Sequence, residues 1–258
     1  MDINDLLYRY DLKGYVVIQN ALSQTHVDQL LSFWESHLNG KPLHDISFDW
    51  GPEWAGLIDP DPVIQALNAL FCNQFRLDHA FCVNENFGNA KGRLHHGGLQ
   101  FERGLFHVPG TEGFATGLIG IIYHLTDVTP STPGFCCIPG THKKLMGTPE
   151  KYMSIYENDL VERVFLKRGD ALLFNEALTH GTYLVESRTR RRCIMFKYCY
   201  SYAAFRQPKE CEMINGLAPT PNHQHFEWEG TLSPNRLTDR QRQIVAYPPY
   251  YRGKEPIL

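Results

Sequence analysis

No stretch of this chain approaches the roughly 20 consecutive apolar residues that a membrane-spanning helix requires, so no membrane partner is expected. Nor is there an excess of charge of either sign. The 25 Lys and Arg against 28 Asp and Glu leave a net charge of -3, whereas binding to a nucleic-acid polymer calls for a strongly basic face. The seven cysteines are odd in number and include no C-x-x-C pair. That argues against a disulfide framework and for a reducing, cytoplasmic setting. The start, Met1-Asp2-Ile3-Asn4-Asp5, lacks the basic and apolar blocks of a secretory signal. The P-loop, G-x-S-x-G and G-x-G-x-x-G patterns are also missing, which removes the usual phosphate cradle, nucleophile elbow and dinucleotide fold. Internal repeats and low-complexity segments are absent too.

What is present suits one large core. At 258 residues the chain can bury one, and nothing in the composition marks a second domain. Residues 14–21 read as a short β-branched strand. Ser23 then caps a helix carrying Val27, Leu30, Leu31 and Trp34 at helical spacing, which runs to about His37 and is stopped by Asn39-Gly40. Residues 43–60 read as loop, and Asp61-Pro62 opens a second helix. From about residue 75 short apolar runs alternate with Gly and Pro breaks. The expected strands are 75–84, 94–102, 117–125, 134–138, 161–167, 171–176 and 191–202, with a turn at Arg168-Gly169-Asp170 and a helical insertion over 147–158. Many short strands predict an all-β sandwich, barrel or jelly roll. The expected layout is a single domain over 1–258: a helical flank over about 1–74, a β core over about 75–205, and an extension over about 206–258 with one late helix at 237–245.

The chemistry concentrates in Arg93-Leu94-His95-His96-Gly97-Gly98-Leu99-Gln100 and in Thr179-His180-Gly181-Thr182. Histidine nitrogens suit Fe(II), and two histidines with one carboxylate form the facial triad of iron oxygenases. On a strand the two-residue period sends His-x-Asp or His-x-Glu to one face. Here neither register supplies the carboxylate: His96 is followed at that position by Gly98, and His95 by Gly97. A glycine leaves one coordination position open and removes a negative charge, and chloride can take both roles. Chlorine, rather than hydroxyl, could then be returned to a substrate radical. Glu102, Asp127 and Glu176 are candidate replacements. The plainer reading makes His95 and His96 hydrogen-bonded strand-end residues, but His180 and the run Arg190-Arg191-Arg192 weigh against it. Strand alternation sends Arg191 to the face opposite its two neighbours, where its guanidinium can bind a carboxylate through paired hydrogen bonds. Thr182 can add a hydroxyl. His26-Val27-Asp28 matches the triad pattern literally, but on a helix positions i and i+2 do not meet. His225-Phe226-Glu227 falls in a polar tail, and Cys136-Cys137 reads as buried packing.

Several blocks resemble the phytanoyl-CoA dioxygenase (PhyH-like) family of Fe(II)/2-oxoglutarate oxygenases. They are Gly14-Tyr15-Val16-Val17-Ile18, Leu125-Thr126-Asp127-Val128-Thr129-Pro130, Gly134-Phe135-Cys136-Cys137-Ile138-Pro139-Gly140-Thr141-His142-Lys143, Gly169-Asp170 through Thr182, Arg191-Arg192, and Leu237-Thr238 to Tyr250. The resemblance implies a double-stranded β-helix (jelly roll, cupin-like). It implies iron held by His96 and His180, and 2-oxoglutarate salt-bridged to Arg191 with Thr182 beside it. It also implies O2 as oxidant in the attack on an unactivated C–H bond. Gly98 is similar to the halogenase-like branch, in which His-x-Gly replaces His-x-Asp and chloride binds iron. The expected activity is therefore chlorination of an aliphatic carbon of a free-standing small molecule. Arg93, Arg103, Lys143, Lys144 and Arg188 offer positive charge that would suit a nucleotide or other anionic substrate, the plainer reading being solvated surface charges. Two alternatives stand beside it: a hydroxylase of the same type, and a degenerate jelly-roll module that binds a small molecule without turnover.

Overall fold

The computed structural model describes residues 2–38, 43–85, 93–95, 106–110, 113–185, 191–203 and 237–246. The chain opens with helix α1 (Ile3–Lys13), whose first turn is capped by the Asp2 carboxylate accepting from the amide of Asn4 at 2.9 Å. The polar first residues hide this helix from a reading of the sequence, yet Leu6 and Tyr10, one helical turn apart, are both buried. Strand β1 (Tyr15–Ile18) follows, then α2 (Gln24–His37) with Ser23 as its cap. The stretch expected as loop holds β2 (Leu43–Asp45), a 3-10 turn (Phe48–Trp50) and the short α3 (Pro52–Ala55). Pro52 starts α3 and Trp54 is buried, so one anchor residue organises a segment without periodicity. Helix α4 (Asp61–Phe71) completes the N-terminal layer.

The β core runs through β3 (Phe75–Glu85), the hairpin β4 (His107–Gly110) and β5 (Gly113–Thr116), β6 (Ile119–His124), β7 (Gly134–Ile138), β8 (Glu162–Arg163), β9 (Ala171–Asn175), β10 (Thr179–Tyr183) and β11 (Arg191–Tyr200). The β4–β5 hairpin was not anticipated. The insertion over 147–158 is a single 3-10 turn, Glu150–Tyr152, rather than a helix. Of the strand expected at 94–102, residues 94 and 95 are described; His95 makes an isolated bridge to His180, and Arg93 just before it bridges to Ser154. Helix α5 (Asp239–Val245) starts at a capping box of Thr238 and Gln241.

Among the described residues every strand pairing is antiparallel, in a six-stranded sheet ordered β1-β9-β6-β11-β3-β2, a three-stranded sheet ordered β10-β7-β8 and the β4–β5 hairpin. The two sheets face each other as a jelly roll. Strand alternation divides the large sheet cleanly. Ile121, Tyr123, Leu173, Ile194, Phe196 and Tyr198 pack under the helices with Leu30, Trp34 and Leu67. Ile122, Leu172, Phe174 and Cys193 point instead into the space between the sheets, where they meet Phe135 and Cys137 of β7. Each fully buried large apolar side chain contributes on the order of 1.5–3 kcal/mol. The helical layer therefore carries much of the stability, and the inner space is free to hold polar groups. One close approach shapes that space. A Cβ at Gly120 would lie 2.3 Å from the Phe174 ring, so glycine lets that ring lie flat across β6. Among the described residues no helix is long and apolar enough to cross a membrane.

Candidate functional site

The site begins on β10. His180 and Thr182 are two residues apart and both point between the sheets. The His180 ring stacks on Phe135 (centroids 5.6 Å apart) and meets the edge of Phe174 (4.8 Å). Its Nδ1–H donates to the Leu178 carbonyl at 2.7 Å. A carbonyl only accepts, so the tautomer is set and the Nε2 lone pair is left to face the interior. Burial, with His95 and Lys197 nearby, pushes the His180 pKa down to about 3 against the opposing pull of Glu176. The imidazole is thus neutral and able to ligate a metal across the physiological range.

His95 lies directly across from His180. The two residues exchange both backbone hydrogen bonds at 2.8 Å, and their ring centroids are 4.3 Å apart. Directly opposed residues share a face, so both imidazoles serve the same space. His96 and Gly98 lie outside the described residues, as does Glu102.

Glu176 sits in the turn between β9 and β10. Its carboxylate is paired with the Lys197 ammonium, both largely buried, and that ammonium also lies 4.6 Å from the Phe174 ring centroid. Burial alone would raise the Glu176 pKa, but Lys197, His180 and His95 together hold it below the usual carboxylate value. Asp127, the third proposed substitute, accepts from the backbone amide of Arg168 at 2.8 Å and serves the turn before β9.

Deeper between the sheets, Arg191 opens β11. It is 4% exposed, and its Nη1 donates to the Thr182 hydroxyl at 3.0 Å. Arg192 faces the other way and pairs with Glu35 of α2 at 2.9 Å. Arg190 lies outside the described residues. The residue that sequence reasoning missed is His124, the last of β6. It is fully buried, and neither ring nitrogen has a hydrogen-bond partner. Burial, then the charge of Arg191, holds its pKa well below 6.5. Buried polar atoms in native proteins are almost always satisfied by protein, water or ligand. A neutral imidazole with two open nitrogens near a buried guanidinium fits an anionic ligand reaching inward from His180. Its inward parity with Ile122 was legible in the sequence; the missing partners were not.

The remaining candidates resolve simply. His26 bonds the Glu53 carbonyl and Asp28 pairs with Arg168, so they do not form a site. Burial raises both Cys136, to about 12, and Cys137, which suits packing rather than nucleophilic attack. His225, Phe226 and Glu227 lie outside the described residues. Of the basic residues considered for an anionic substrate, Arg93 is clamped by Glu150 at 2.6 and 2.7 Å, and Lys144 bonds the hydroxyls of Thr148 and Thr179. Arg103 and Arg188 are outside the described residues.

The buried histidines make stability depend on pH. Burial is the largest cause of the depressed pKa of His107, His124, His142 and His180, and His142 and His180 fall to about 3. In the unfolded chain each returns to about 6.5. Below that value the unfolded state binds more protons, so stability drops as pH falls toward 3. The slope is up to about 1.4 kcal/mol per pH unit for each imidazole still neutral in the fold. Urea midpoints measured between pH 7.5 and 4 should fall steadily below pH 6.5, and a flat profile contradicts this.

Comparison with known proteins agrees with this fold. The sequence profile of the phytanoyl-CoA dioxygenase (PhyH) family matches residues 58–193, more than half of the chain. No curated protein sequence matches it. Among solved structures, HygX from Streptomyces hygroscopicus with nickel and 2-oxoglutarate bound is similar at a TM-score of 0.70 and 19% identity, covering 81% of this chain and 91% of that one. The same protein with nickel, 2-oxoglutarate and hygromycin B bound gives 0.68 and 20%, covering 81% and 92%. The non-heme alpha ketoglutarate dependent epimerase SnoN from nogalamycin biosynthesis gives 0.60 and 15%, covering 87% and 95%.

Proposed function

The chain belongs to the phytanoyl-CoA dioxygenase family of non-haem Fe(II)/2-oxoglutarate oxygenases, and from that premise we propose that it chlorinates an unactivated aliphatic carbon of a free-standing small molecule. One observation supports this reading most. His180, with Nε2 open, and Thr182, bonded to Arg191, lie on the same inward face of one strand. Two residues of strand span roughly 7 Å, a separation suited to a short dicarboxylate that meets a metal at one end and a guanidinium at the other.

In this reading His180 and one of His95 and His96 hold the iron. The register at His95 is favoured by its ring contact with His180. Arg191, Thr182 and His124 hold the far carboxylate of 2-oxoglutarate. Iron with 2-oxoglutarate and O2 supplies the oxidising power for C–H cleavage. The protein's part is positional: Leu178 fixes the His180 tautomer, Phe135 and Phe174 hold the ring and exclude water, and Arg191 draws the co-substrate to full depth. Glycine follows in the carboxylate position whichever histidine ligates, Gly97 after His95 or Gly98 after His96. Glu176, the nearby carboxylate, is engaged by Lys197. Both features favour a vacancy open to chloride.

The second reading is hydroxylation, with Glu176 leaving Lys197 to complete the triad. Its support is the field that Glu176 shares with His180 and His95. Chloride titration of the anaerobic Fe(II)/2-oxoglutarate complex separates the two. Chlorination predicts that chloride perturbs the visible metal-to-ligand band and that Gly98→Asp, or Gly97→Asp in the other register, abolishes the response. Hydroxylation predicts no chloride response and a loss of iron in Glu176→Gln.

A further inference from the structure

We infer that Asp11, His107 and His142 form a second metal site, sharing no residue with the iron site, which takes a borderline first-row divalent cation such as zinc and fastens α1 to the jelly roll. One ligand atom from each of the three lies within 4.8 Å of the other two. They come from three separate elements: Asp11 from the last turn of α1, His107 from the first position of β4, and His142 from the 3-10 turn Thr141–Lys143 after β7. Among the described residues no other group of three or more His, Cys, Asp or Glu has metal-ligand spacing.

The arrangement has the features of a cation site. Asp11 Oδ1 and His107 Nε2 are 2.9 Å apart, a separation that two ligands of one ion adopt. His142 Nε2 is 3.1 Å from the Asp11 carbonyl oxygen, a further oxygen donor. The two imidazoles meet edge to face at 4.6 Å. Each histidine is 1% exposed, while the Asp11 side chain is 39% exposed and leaves a way in from solvent. Burial keeps both imidazoles neutral at ordinary pH, so a cation does not compete with a proton for them. Gly14, at φ +79°, makes the closure fit, because a Cβ there would sit 2.5 Å from His142 Nδ1. Two imidazole nitrogens, a carboxylate and one water give the four-coordinate set that zinc favours.

Binding moves the proton of each imidazole from Nε2, which donates to Asp11 in the metal-free site, to Nδ1, and replaces the two hydrogen bonds to Asp11 with metal–ligand bonds. Lys143 is the built-in competitor, its Nζ 3.8 Å from Asp11 Oδ2. The test uses the full chain, stripped with chelator, loaded with Co(II), desalted and assayed for bound cobalt. Wild type should hold two equivalents and His180→Ala one, with the visible bands of four-coordinate cobalt. Combining His180→Ala with Asp11→Asn or with His107→Gln should remove the remaining equivalent, and Lys143→Gln should tighten it several-fold. Asp11 is exposed enough for its variant to fold should His107→Gln not do so. The inference is overturned if His180→Ala binds no cobalt, or if its equivalent survives Asp11→Asn. Neither outcome touches the iron site, which is read from the equivalent lost in His180→Ala.

Discussion

His180→Ala should reduce coupled consumption of 2-oxoglutarate at least about 1000-fold while leaving the fold intact. A metal centre supplies several kcal/mol of transition-state stabilisation, and each 1.36 kcal/mol is a factor of ten in rate. The substitution removes an inward-facing imidazole whose Nε2 is left open because Nδ1–H is held by the Leu178 carbonyl. It also leaves a small void between Phe135 and Phe174, so melting should fall modestly. His180→Gln refills that void without restoring the imidazole, and it should recover stability but not turnover. Measuring turnover and melting temperature on both variants separates ligand loss from packing loss. Near-wild-type turnover in either variant would remove His180 from the metal.

Arg191→Met should raise the 2-oxoglutarate concentration for half-saturation by about 30-fold or more, with iron affinity unchanged. Truncating one partner of a buried charge pair costs about 2–5 kcal/mol. Arg191 is buried, held by Thr182 and faces His124, and methionine keeps the stem while removing the charge. Arg191→Lys should fall between the two, because an ammonium lacks the paired geometry of a guanidinium. Titrations of the iron-loaded protein with 2-oxoglutarate give these constants directly. An unchanged constant for Arg191→Met would place the far carboxylate elsewhere.

The sequence exposed what obeys a period. Alternation distinguished Arg191 from Arg192, and the pair to Glu35 places Arg192 under the helices. Helical spacing and Ser23 located α2 to within a residue. Many short strands with turn residues between them indicated a sandwich, barrel or jelly roll, and the resemblance to the oxygenase family narrowed this to the jelly roll. What stayed hidden depends on contacts between distant residues. Helix α1 is held by Leu6 and Tyr10 against a layer built much later in the chain, and its polar surface gives little local signal. The facing of His95 with His180 rests on a single antiparallel bridge, which no spacing rule supplies. Likewise, the unpartnered nitrogens of His124 and the engagement of Glu176 by Lys197 appear only when β6, β9 and β11 lie side by side.

The most direct test of the central claim is an anaerobic titration of the Fe(II)-loaded chain with 2-oxoglutarate, followed by visible absorption. The account predicts a saturable metal-to-ligand band that is lost in His180→Ala and appears only at much higher 2-oxoglutarate in Arg191→Met. Its absence in an iron-loaded, folded wild-type chain would contradict the site described here.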